Sequence, residues 1–267
     1  MKLIDIHAHL QFEQFDGDRA EVIARAREGG VGVINVGTDL ETSRAAIKLA
    51  ETNLDMWATV GIHPTDLPRQ SEAAAGLHEL RELVAHGKVV AIGECGLDYF
   101  HIKDEDERKE QTKFFEQQIA IAQEVAKPLM IHCRPSLGTQ DAYQNLLEIL
   151  SYHLKPTNYN LSGNVHFFAG TWAEAKTFLD LGFSLSFTGV ITFARDYDEV
   201  IKNTPQDRIM VETDCPFVAP ALYRGKRNEP VYVLEVLKKM AEIRGEDEEN
   251  LRQAVLANAC RFFGILL

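Results

Sequence analysis

The stretch IDIHAHL, residues 4–10, sets His7 and His9 one residue apart in an otherwise apolar run. A buried imidazole needs a hydrogen bond or a metal, so the pair reads either as a polar strand end or as two ligands of one cation. Other residues of the same character close or interrupt short apolar runs elsewhere: His63 in GIHP, Glu94 in GECGLDYF, His132 in PLMIHCR, His166 in VHFFAG and Asp214 in VETDCPF. Imidazoles favour Zn2+ and other late metals, carboxylates accept Mg2+ and Mn2+, and the mixture suits both. A pair of cations bridged by a carboxylate can hold a phosphodiester oxygen and acidify water for hydrolysis. Taken singly, a strand histidine is more often a hydrogen-bonded core residue than a ligand. The number of such residues, and where they fall, gives the metal reading its weight.

Their positions follow from the elements that carry them. Short β-branched runs end at His7 (KLIDIH), Gly37 (VGVINVG), His63 (MWATVGIH), Glu94 (KVVAIGE), Cys133 (PLMIHC), Phe168 (NVHFF), Gly189 (FSLSFTG) and Asp214 (RIMVETD). Between them lie segments such as DRAEVIARAREGG, SEAAAGLHELRELVAHG and ERKEQTKFFEQQIAIAQEVAKP, with apolar residues three and four apart. Strand and helix in alternation, with near-continuous apolar strands, predict one (β/α)8 TIM barrel across residues 1–267. A doubly wound open sheet is the competing architecture. The last segment, from Tyr232, reads as two closing helices broken near Gly245, Gly29 and Gly30 read as a helix stop, and KDEDERKE as a solvated loop and first helical turn.

Active sites of such barrels sit at the C-terminal ends of the strands. On this frame His7 and His9 close strand one, His63 strand three, Glu94 strand four, His132 strand five and Asp214 strand eight, with His166 inside strand six. Period-two alternation turns His7 and His9 toward the barrel axis and Ile6 and Ala8 toward the helices. Cys95, Cys133 and Cys215 each follow a proposed ligand by one position and are expected to face away from it, while Cys260 is expected in the core of the last helix. His78, His86, His101 and His153 fall in helices or loops and read as ordinary polar residues.

Composition narrows the function classes. A formal net charge of −12 and a pI near 5.2 argue against a broad basic surface for long nucleic acid, though not against a local anion site. Four cysteines without C-x-x-C spacing give neither a disulfide framework nor a structural zinc motif. No signal peptide or run of about 18 apolar residues is evident, so the expected location is the cytoplasm. No P-loop or G-x-G-x-x-G is present.

The motifs DIHAHL, GIHP, GECGLDYF, PLMIHCR, VHFFAG, VETDCPF, RGKRNEP and NACRFFGI occur in one order along nearly the whole chain. Together they resemble the TatD family of metal-dependent deoxyribonucleases, in the amidohydrolase-like TIM-barrel superfamily. The resemblance implies one metal held by His7, His9, Glu94 and Asp214, and a second by Glu94, His132 and His166, with Glu94 bridging. It implies an outer position for His63, close to a bound phosphate, and activation by Mg2+ or Mn2+, with Zn2+ compatible. The departures are mild. Phe167, Phe168, Ala169 and Gly170 lack a hydroxyl that relatives often have there, and Cys95 replaces an aliphatic residue.

On this reading Asp214 is general base as well as ligand, and His63 orients the phosphate or protonates the leaving oxygen. Glu212 shares the parity of Asp214 and is a candidate for orienting ligands. YRGKRNEP offers Arg224, Lys226 and Arg227 for phosphate, with Arg134 as a further contact. The plainer alternative is a solvated basic loop held in place by Asn228 and Glu229. The expected substrate is a DNA end or short single strand, bound with little sequence readout by a monomer that needs no stable protein partner. Two other readings stand beside it: a hydrolase of a small lactone, cyclic amide or phosphoester, and a non-catalytic metal-binding scaffold. Strand four ends in Glu94 and the IHC of strand five offers no lysine for the carboxylated-lysine bridge of many superfamily relatives, which weighs against those branches.

Overall fold

The computed structural model describes residues 1–69, 71–154 and 161–266, leaving Leu267 of the closing segment outside them. Strands β1 (Leu3–Ala8), β2 (Val31–Val36), β3 (Met56–Val60), β4 (Val89–Asp98), β5 (Leu129–Arg134), β6 (Gly163–Val165), β7 (Ser184–Phe187) and β8 (Ile209–Val211) pair in parallel in chain order. A bridge between Ala8 and Cys215, with the His9 amide donating to the Cys215 carbonyl and the Asp214 amide to the His7 carbonyl, joins the last strand to the first. That closure selects the barrel over the open sheet.

Helices α1 (Arg19–Gly29), α2 (Leu40–Thr52), α3 (Ala73–Val84), α4 (Glu105–Val125), α5 (Asp141–His153), α6 (Trp172–Asp180) and α7 (Asp198–Asn203) separate successive strands, and α8 (Val233–Arg244) and α9 (Glu248–Phe263) follow β8. Gly30 and Gly245 end α1 and α8 with left-handed φ values of 76° and 66°, a conformation glycine adopts without steric cost. Asp104 caps α4 by accepting from the amides of Asp106 and Glu107, so KDEDERKE is a loop and first turn. Among the described residues no helix is long and apolar enough to cross a membrane.

Alternation along the strands divides the core into two layers. Leu3, Ala8, Val33, Ile92, Cys95, Ile131, Cys133, Ile209 and Val211 join the layer between strands and helices. Ile4, Ile6, Ile34, Ala91, Met130 and Met210 fill the barrel interior, where Ala259, Phe263 and Ile265 at the C-terminal end of the chain close its floor. Cys260 is half-buried against this floor cluster. Ile6 therefore faces the axis, not the helices. The cause is an extra residue in β1: three steps from Asp5 to Ala8 match two on β2, and this bulge resets the parity between Ile6 and His7. Several strand ends also differ from the apolar runs: β1 stops at Ala8, so that His9 follows it, and β3 stops at Val60, three residues before His63. β4 continues four residues past Glu94, β6 stops at Val165 so that His166 follows it instead of lying inside it, and β8 stops at Val211, three residues before Asp214.

Candidate metal centre

Glu94 is delivered by a second bulge. From Ile92 to Cys95, β4 takes three steps against two on β5, so Glu94 turns inward where simple alternation would send it out. Glycine is required beside it. Gly93 has φ 148°, and a Cβ there would lie 2.3 Å from the Met130 carbonyl oxygen. Beyond β8, Asp214 adopts a left-handed φ of 57° while its amide remains bonded to the His7 carbonyl, which aims its carboxylate at His7 and His9.

The six proposed ligands converge. Glu94 lies between two groups: Oε2 is 3.4 Å from His7 Nε2 and 3.8 Å from His9 Nε2, and Oε1 is 2.9 Å from His132 Nδ1 and from His166 Nε2. Asp214 Oδ1 completes the first group at 3.4 Å from His9 and 3.7 Å from His7. His63 joins the second, its Nε2 3.4 Å from Glu94 Oε1 and its ring centroid 4.3 Å from that of His132. This is closer than an outer position requires, and His63, Glu94 and His132 have donor atoms near enough to share a cation.

The donors fit a cation on their own chemistry. His9 Nδ1 donates to the Val36 carbonyl at 2.7 Å, which leaves the lone pair of the neutral ring on Nε2. His7 Nδ1 faces the Glu212 carboxylate, which places its lone pair on Nε2 as well. These two nitrogens stand 3.2 Å apart and buried, a repulsion that a positive ion between them and the carboxylates relieves.

Charge balance agrees. Burial pushes Glu94 up, but the imidazoles of His166, His63 and His7 more than offset it and hold the carboxyl well below its usual range. Burial likewise opposes Asp214, and His9 and His7 bring it below the ordinary value. Burial and the neighbouring His166 lower His7, while burial and His132 lower His63. His166 goes the other way, pushed well up against burial by Glu94 and Glu212.

Glu212 is the least conspicuous member. Its Oε2 lies 3.8 Å from His7 Nδ1 and 3.7 Å from His166 Nδ1, and its Oε1 accepts the Phe167 amide. Those three atoms, Glu212 Oε2 and the two Nδ1, are buried without a closer hydrogen-bond partner. A residue not singled out from the sequence also enters: buried Asp98 accepts from the His101 amide and lies 2.8 Å from His101 Nδ1 and 3.2 Å from His132 Nε2. His101 is thus tied to the centre and is no ordinary loop histidine. The available signal was the parity of Asp98 with Glu94 in GECGLD. His78, His86 and His153 pair with Glu82, Glu51 and Glu116, away from the centre.

The basic residues divide. Arg134, the last residue of β5, lies over the Phe100 ring at 4.0 Å and Arg224 over Phe193 at 4.2 Å, with Phe100, Phe193 and Arg224 in segments that follow β4, β7 and β8 at the mouth. Lys226 is exposed in the same loop as Arg224. Arg227 turns elsewhere: it makes a two-pronged bond to Asp18, donates to the Gln14 carbonyl and covers Phe15. Asn228 donates to the Thr213, Phe217 and Val218 carbonyls, and Glu229 pairs with Arg25, so both hold the loop.

Known proteins resemble this chain over nearly its whole length. The model of the family described as TatD related DNase matches residues 4–264. An uncharacterized metal-dependent hydrolase, YabD of Bacillus subtilis, is 40% identical over 266 residues, covering 98% of this chain and 99% of its own. The 3'-5' ssDNA/RNA exonuclease TatD of Cronobacter sakazakii is 36% identical over 270 residues, with 98% and 97% covered. The crystal structure of YjjV, a TatD homolog from Escherichia coli, superposes with a TM-score of 0.88 at 29% identity, covering 99% of both chains. With a barrel of this order, a buried histidine–carboxylate cluster at its mouth and a family match over almost its full length, the chain belongs to the TatD related DNases, metal-dependent hydrolases acting on ester bonds.

Proposed function

We propose that the protein is a two-metal nuclease that removes nucleotides from an end of single-stranded DNA, in the 3'-5' direction named for the Cronobacter relative. The observation that carries this reading is the position of Glu94, one carboxylate oxygen toward His7, His9 and Asp214 and the other toward His132, His166 and His63. Divalent cations held there, Mg2+ or Mn2+ in the first instance, supply positive charge to a phosphodiester oxygen and acidify water.

The chain's own groups do the rest. Asp214 accepts the proton of the attacking water, since its carboxylate is held ionised at the mouth. His63, hydrogen-bonded through Nδ1 to Thr65, presents Nε2 to the site and orients the phosphate or protonates the departing oxygen. Arg134, Arg224 and Lys226 contact phosphates along the strand, while Arg227 contributes through the loop it anchors. With a net charge of −12, this set serves a few nucleotides and not a long duplex. In this reading one domain acts as a monomer in the cytoplasm.

The test is nucleotide release from end-labelled single-stranded DNA by metal-stripped protein, with and without Mg2+ or Mn2+, beside Glu94→Ala. Metal-restored trimming that Glu94→Ala lacks supports the nuclease. Turnover of a lactone, cyclic amide or small phosphoester with DNA untouched moves the activity to those substrates, and silence on every substrate despite bound metal leaves a binding role.

A further inference from the structure

Three exposed phenylalanines, Phe100, Phe193 and Phe217 at 38%, 41% and 46%, lie in segments following β4, β7 and β8, on the face that carries the metal ligands. Exposed aromatic surface gathered at one mouth is unfavourable unless something covers it. Phe100 and Phe193 are each roofed by a guanidinium, those of Arg134 and Arg224. Phe217 differs: its ring stands 6.3 Å from that of His9 and 6.4 Å from that of Phe12, which itself stacks on His9 at 4.5 Å and 12°.

Nor is Phe217 a loose surface side chain. Its amide donates to the Asp214 carbonyl, its own carbonyl accepts the Asn228 side chain at 2.6 Å, and Asn228 is fully buried. One ligand and one buried amide therefore fix the backbone that presents this ring to solvent. Its position beside His9 is built in.

We propose that Phe217, backed by Phe12, is the stacking platform for an unpaired base next to the scissile phosphodiester. Every base has a π-face, so such a platform grips any sequence, and it needs a base not already stacked within a duplex. Arg134 and Arg224, spread over their own rings, are left to follow the backbone on either side. This inference rests on the nuclease reading and adds what a phosphate site alone does not give: a preference for single strands and indifference to sequence.

The experiment compares two single-stranded oligonucleotides, identical except that one carries an abasic unit at the terminal nucleotide to be released. Wild-type protein with Mg2+ or Mn2+ is expected to favour the base-bearing end in kcat/KM by roughly 5- to 100-fold. In Phe217→Ala that ratio falls to about one, and in Phe217→Tyr it is kept. A second readout needs no turnover. A terminal 2-aminopurine loses fluorescence on binding the metal-free wild-type protein and keeps it with Phe217→Ala. A ratio the same in Phe217→Ala as in wild type, or a wild-type ratio near one, overturns the platform and leaves the nuclease standing. Wild-type protein that releases nothing from either strand overturns the nuclease, and the platform with it.

Discussion

The rings of His7 and His166 lie face to face, 3.8 Å between centroids and 12° from parallel, although one comes from β1 and the other follows β6. Glu212 stands behind both Nδ1 atoms, so a single carboxylate sets two imidazoles with Nε2 toward Glu94. An amide has one acceptor oxygen, so it turns its donors either toward both rings or toward the Phe167 amide that Oε1 now accepts. Glu212→Gln is therefore expected to weaken binding of Mn2+ by about 10- to 100-fold, the usual scale for a partner behind a ligand. Calorimetric titration of metal-stripped protein reads it, and wild-type affinity in the variant would remove Glu212 from this role.

Gly93 makes a sharper demand. Gly93→Ala places a methyl group on the Met130 carbonyl and a side chain at φ 148°, costing on the order of 1–3 kcal/mol in backbone conformation alone. The bulge that aims Glu94 then shifts. A thermal midpoint lower by roughly 5 °C or more, together with loss of metal binding at both groups, is expected from scanning calorimetry with and without Mn2+. A variant with wild-type melting and affinity would show that the bulge tolerates a side chain.

Two neighbours in one basic loop should behave differently. Arg227 is committed to Asp18, so Arg227→Ala lowers the urea midpoint and changes KM for DNA little beyond what loosening of the loop causes. Lys226 is exposed, so Lys226→Ala raises KM a few-fold, more at low salt than at high, with the urea midpoint kept. The reverse pattern would reassign the phosphate contact to Arg227.

Metal binding should release protons. His166 sits well above the ordinary imidazole value of 6.5 because Glu94 and Glu212 outweigh its burial, so near neutral pH the metal-free centre carries a proton that a cation must displace. Affinity for Mn2+ then increases as pH rises toward the His166 value and levels off above it. Titrations at pH 7 in two buffers of different ionisation enthalpy count the proton, and identical heats would mean that His166 is already neutral.

Much of this was legible in the sequence because barrel strands are buried on both faces and write themselves as short apolar runs, with the active-site end marked by whichever residues break the apolar rule. His132 and Asp214 stand out in that way. Bulges are harder to read. They reset parity at His7 and Glu94 through one extra residue each, so alternation counted from His7 gave its orientation correctly and that of Ile6 wrongly. Asp98 was hidden because its role depends on β4 running past Glu94, and the Arg227–Asp18 bond because 209 residues separate the partners.

Cys95, Cys133 and Cys215 are each one residue from a candidate ligand yet lie in the layer between strands and helices, where burial, with nearby acids adding to it, pushes every thiol up from its ordinary value. An alkylating reagent that diffuses freely to the metal mouth meets no sulfur there, and these three thiols react only when a strand parts from its covering helix. Their labelling rate is therefore a clock for breathing of the β1, β4 and β5 walls, read on the unmodified protein.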